Sequence, residues 1–177
     1  QWLKDRGKIT ADIRYINSMM HMWPEKLATV MDAAIEDITT AGKKIVLLYG
    51  ECHHWMDKYH CRPAVQRVAG CNCVEIFLGK QRYQSFSKAG AFFLMPEWTM
   101  RWREVFQNEL GLKGDVGKEF MRDMHTFFLY VDTGLYPVPT QILDEISHTL
   151  GLPCKRLRID LTHLLAALQA AVEKIDR

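Results

Sequence analysis

The chain has 177 residues, 48% of them apolar and 25% charged, with a net charge of +2. That length and composition suit a packed domain over residues 1–177 and exclude a disordered chain. Lys and Arg are interspersed with Asp and Glu, which excludes a dedicated nucleic-acid binder. No run reaches the roughly 18 apolar residues of a membrane span, and no secretory signal is present, so a cytoplasmic setting is expected.

Gln1 to Gly7 read as the end of a helix already under way, so we expect the natural chain to start upstream with a further strand. Ile9 to Ile16 alternate and are β-branched, predicting a strand. Pro24 sits where a helix accepts proline, at its first turn. Leu27, Val30, Met31, Ala34, Ile35 and Ile38 follow at helical spacing, and Gly42 closes that helix. Ile45 to Tyr49 form a continuous apolar run, the pattern of a strand covered on both faces. A His- and Cys-rich loop then extends from Glu51 to Pro63.

Cys71 to Phe86 predict one or two helices punctuated by Gly79, and Ala91 to Met95 the next strand, stopped by Pro96. Glu97 to Leu110 predict an aromatic-rich helix and Lys118 to His125 another. Phe127 to Val131 predict a strand, Thr140 to Leu150 a helix with Gly151 at its C-cap, Arg156 to Leu161 a short strand, and Thr162 to Ile175 a last helix. Strands alternating with helices define an α/β fold. We expect a three-layer, mostly parallel, Rossmann-like open sheet of about four or five strands flanked by helices.

In such a sheet, ligands bind where loops leave the carboxyl ends of the strands. Tyr49-Gly50-Glu51-Cys52-His53-His54 follows one strand, Pro96-Glu97-Trp98 another and Asp132-Thr133-Gly134 a third, while His21 follows the first. Four of the five cysteines, Cys52, Cys61, Cys71 and Cys73, fall together, with Cys154 far away. An odd total without a secretory signal argues against a disulfide framework. Thiolate and imidazole are preferred ligands of zinc and several redox metals, although these spacings match no standard zinc finger. Cys52 and Cys73 make the expected discontinuous pair, and a helix beginning at Cys73 would favour its thiolate. Buried thiols behaving as small hydrophobes are the plainer alternative for any one cysteine.

Glu97 is either a dipole partner at a helix N-terminus or a group facing the site, and Asp132-Thr133-Gly134 is either turn chemistry or part of a cofactor site. Trp98, Trp102, Phe106 and Leu110 recur at helical spacing, as core residues do. Neither a phosphate-binding glycine loop nor a serine nucleophile elbow is present.

The series Tyr49-Gly50-Glu51-Cys52, Asn72-Cys73-Val74-Glu75-Ile76-Phe77-Leu78-Gly79, Tyr83 and Gly90 to Trp98 resembles the family of the domain of unknown function 1638 over about Asp12 to Leu161. His21 before Trp23-Pro24-Glu25 and Asp132-Thr133-Gly134 match further family elements. The chain departs from the family pattern at His53-His54, where glycine and asparagine are usual, and at Asn72, where aspartate is usual. The resemblance implies that Cys52, Cys73 and His21 belong together, and it gives methyl-transfer metabolism as context, with corrinoid proteins or methyltransferases as partners. We therefore expect a metal site, with Cys52, Cys73 and either His21 or His53 as ligands and zinc or another transition metal as occupant. A corrinoid carrier and a metal-free thiol redox protein are the alternatives.

Overall fold

The computed structural model of the chain describes residues 1–51 and 55–176, and for Asp57, His60 and Cys61 the backbone alone. The chain divides into two compact units: residues 1–77 with 162–177, and residues 78–161. Each has its own parallel sheet.

In the first unit a short helix, α1 (Trp2–Asp5), precedes a 3-10 turn at Ser18–Met22 and the long helix α2 (Pro24–Thr40). Pro24 opens α2, and Leu27, Met31 and Ile35 recur every fourth residue to form its buried stripe. Those three join Leu47, Met56, Tyr59 and Val65 in one core cluster, with Ile16, Met20, Ile45 and Tyr49 against it. Each such fully buried side chain is worth roughly 1.5–3 kcal/mol. Strands β1 (Ile45–Leu47) and β2 (Val65–Arg67) pair in parallel, Ile45 beside Val65 and Leu47 beside Arg67. The final helix, α8 (Thr162–Asp176), packs on both strands, and Lys44 Nζ reaches Asp176 at 3.0 Å. Between the strands a 3-10 turn at Met56–Cys61 is fastened to α2 by Lys58, 2.5 Å from Asp32. Bonds from Lys58 and the Tyr59 hydroxyl outweigh desolvation and hold the Asp32 carboxyl below its usual range.

After β2 the chain turns into α3 (Cys73–Leu78), and buried Gly79 at φ +80° leads into α4 (Lys80–Lys88). In the second unit β3 (Ala91–Leu94), β4 (Phe127–Asp132) and β5 (Cys154–Arg158) form a parallel sheet in that order. All six residues of β4 are buried, which is why it reads as an unbroken apolar run. Helices α5 (Pro96–Met100), α6 (Gly114–Met124) and α7 (Thr140–Leu150) complete the unit, and Gly151 at φ +73° caps α7.

The α/β class with parallel pairing holds, but two small sheets replace one open sheet of four or five strands. Ile9–Ile16 is not a strand. Thr10, Ala11, Asp12, Arg14 and Tyr15 are exposed, so its alternation presents no buried face to a partner, and Arg14 is instead tied to Asp37 at 2.6 Å. The expected helix over 97–110 divides at Arg101 into α5 and a π-helical turn, Arg103–Glu109. Thr99 Oγ1 donates to the Met95 carbonyl and Arg101 grips Glu104 with two bonds, while Trp102, Val105 and Phe106 turn into the core. Helix α6 starts earlier than its apolar pattern, and β5 runs from Cys154 to Arg158 where Arg156 to Leu161 is the sequence expectation.

Candidate functional site

The first unit presses two chain segments together at the carboxyl ends of its strands. The Glu51 N–H donates to the Cys71 carbonyl at 2.8 Å, tying the loop after β1 to the turn after β2. Gly50 makes this approach feasible. A methyl group there would lie 2.7 Å from the Cys71 carbonyl oxygen and 2.8 Å from the Asn72 nitrogen. Tyr49, one residue earlier, stacks on His21 with ring centroids 5.8 Å apart and planes 12° from parallel. Of the sequence-predicted residues, Cys73 follows the turn that meets the loop here, and His21, on the 3-10 turn Ser18–Met22, touches Tyr49 before that loop. Cys52 and His53 lie outside the described residues.

Asn72 starts α3. Its side-chain oxygen accepts from the Glu75 N–H at 2.9 Å, doing the capping work that an aspartate would do. Cys73 is the first residue of α3 and is exposed. Desolvation of the sulfur pushes its thiol upward and outweighs the lowering pull of its own and the Val74 N–H, which is the pull expected at a helix start.

Cys71 donates its thiol proton to Glu75 Oε2 at 2.8 Å, and Asn72 Nδ2 lies 3.4 Å from its sulfur. Burial, the bond to Glu75 and the Glu75 and Glu51 carboxylates push the Cys71 thiol up to about 11. Nearby carboxylates that disfavour thiolate would favour a bound cation. Among the described residues, no group of three or more His, Cys, Asp or Glu side chains is arranged to hold a metal ion.

Arg67, at the end of β2, belongs to the same corner and has no motif to announce it in the sequence. Its Nη1 donates to the Gly70 carbonyl at 3.3 Å, and Nη2 stands 3.8 Å from Glu51 Oε1.

The remaining expected residues lie in the second unit. Glu97 is in the first turn of α5, exposed, with its carboxylate 4.0 Å from Arg101. Asp132 ends β4 with a side chain only 1% exposed. It accepts from Arg156 Nε at 2.9 Å and Nη2 at 2.6 Å, from Arg158 Nη1 at 3.2 Å, and from the Gly134 N–H at 2.8 Å. Desolvation alone would raise its carboxyl, yet these donors hold it below the usual range. Thr133 Oγ1 sits 3.5 Å from the Leu135 nitrogen. Gly134, at φ +70°, packs against the Arg158 guanidinium, which a side chain there would displace. This geometry gives Asp132-Thr133-Gly134 the structure of a turn locked by two arginines.

Fold and site together define a parallel α/β protein with a thiol-, imidazole- and carboxylate-bearing corner at the strand ends. A family model described as "Protein of unknown function (DUF1638)" matches residues 15–168. The chain belongs to that family. No curated protein and no solved structure matches it. Among the described residues, no helix is long and apolar enough to cross a membrane.

Proposed function

We propose that the chain is a metal-binding protein, with zinc the default metal and Cys52, Cys73 and either His21 or His53 as ligands. The observation that carries this reading is the Glu51–Cys71 backbone bond of 2.8 Å. Glu51 immediately precedes Cys52 in the sequence, and its backbone bond ties it to the turn that starts α3 at Cys73. His21 stacks on Tyr49, two residues before Glu51. Glu51 and Glu75 add the negative field that a dication needs.

An open coordination position would let the metal keep a substrate thiolate nucleophilic near neutral pH. That chemistry suits the corrinoid-dependent methyl transfer expected from the family, with corrinoid proteins or methyltransferases as partners.

Elemental analysis and an absorption spectrum of anaerobically purified protein test the reading. About one zinc per chain, lost in Cys52→Ser and in Cys73→Ser, is the expected result. Equal metal in wild type and variants overturns it. Cobalt with a corrinoid spectrum would assign the carrier role instead, and a metal-free protein whose Cys52 and Cys73 form a reversible disulfide would assign thiol redox chemistry.

A further inference from the structure

A guanidinium has five N–H donors and is costly to bury without partners. The Arg67 side chain is only 11% exposed. Nη1 makes one long bond to Gly70, and the 3.8 Å from Nη2 to Glu51 exceeds hydrogen-bond reach. Nε is buried and has no hydrogen-bond partner among the described residues. Among the described residues, the side edge of the guanidinium, where the Nε and Nη2 protons run parallel, thus meets no acceptor within hydrogen-bond distance and only the Glu51 carboxylate at 3.8 Å. Arg156 shows what a satisfied edge looks like in the same molecule, because its Nε and Nη2 both reach Asp132 Oδ2. Glu51 does not fill the corresponding role for Arg67, since its own side chain is 62% exposed.

That edge matches the spacing of two oxygens on a carboxylate or phosphate, and it lies at the carboxyl end of a parallel strand, between Glu51 and the Gly70-Cys71 turn. We propose that Arg67 is the oxyanion-recognition residue of the Cys/His corner, its Nε–Nη2 edge gripping a carboxylate or phosphate carried by the ligand. The inference rests on the metal reading only for which site the ligand occupies. The anion contact itself needs no metal.

The test follows the Arg67 Nε–H resonance by nuclear magnetic resonance while inorganic phosphate or acetate is added to the full chain, once with chelator and once with zinc. A saturable shift of that resonance is expected in both states. Arg67→Lys, which keeps the charge and loses the fork, should weaken binding by about tenfold or more. A response to phosphate alone assigns a phosphate-bearing ligand, and a response to acetate alone a carboxylate. An Arg67 signal unmoved by either anion, in protein with native circular dichroism, overturns the inference even if zinc binds. A shift in protein that cannot bind zinc upholds it while the metal reading fails. The wild-type resonance decides the matter should the lysine variant fail to fold.

Discussion

Two strand-end turns in this molecule handle charge in opposite ways. In the second unit Asp132 is enclosed and saturated, with two arginines and the Gly134 amide filling its acceptor positions. In the first unit a buried donor is left without a partner among the described residues. Arg67 is nearly enclosed with an unmatched Nε, and the Cys71 thiol is held protonated between carboxylates. A carboxylate whose acceptors are all engaged has little left for a ligand, whereas a buried donor without a partner among the described residues has capacity for one. The difference separates a turn whose charges are internally matched from the corner for which we propose a ligand, although both sit where α/β proteins bind ligands.

The largest effect on stability should come from Gly50→Ala, which forces a methyl group onto the Cys71 and Asn72 backbone. Overpacking against side chains costs about 1–3 kcal/mol, and backbone yields less, so about 3 kcal/mol is expected. Urea denaturation measures it. A loss below about 0.5 kcal/mol would show that the two segments are not fastened together as described.

Asp132→Asn sharpens the contrast from the other side. The arginines that grip Asp132 are more than half exposed and can rehydrate, so the loss falls short of the about 3–5 kcal/mol of a fully buried pair. About 2 kcal/mol at pH 7 is expected, with metal content and anion binding at the first unit unchanged. Because the folded Asp132 carboxyl is held below its usual value, its stabilisation is present above about pH 4 and lost as pH falls through the folded value. The gap between the thermal midpoints of wild type and variant should therefore close in acid. A gap of constant size from pH 7 to pH 3 would refute the charge pairing.

Much of the second unit is legible in the sequence because burial on both faces leaves a continuous apolar run, as in β4, and caps such as Gly151 mark helix ends. The first unit is harder. Ile9 to Ile16 have the composition of a strand but no neighbour to pair with, while β2 is three residues long and mixes Val65 with Gln66 and Arg67. Tyr49 to Glu51 and Cys71 to Cys73 stand out through their chemistry and glycine. Arg67 does not, because a lone arginine has no period and no motif. Its Nε lacks a hydrogen-bond partner among the described residues, a property of packing that no local pattern encodes.

The smallest stability effect, and the finest probe of the corner around Cys71, is Glu75→Gln. Glutamine can still accept the Cys71 thiol proton, but it removes the charge that opposes thiolate formation. The Cys71 thiol should then titrate below about 11. In wild type the raised value means that the thiol contributes stability below about pH 9, lost as pH rises through about 11; the variant should lose it earlier. Alkylation at pH 9, with Cys71 followed by peptide mass mapping, gives the direct readout. Each unit by which the pKa falls raises the thiolate fraction about tenfold, and lower nucleophilicity returns part of that, so a net gain of about threefold per unit is expected. An unchanged Cys71 rate would show that burial alone sets the thiol, and would remove the carboxylate field as a reason for a cation to bind there.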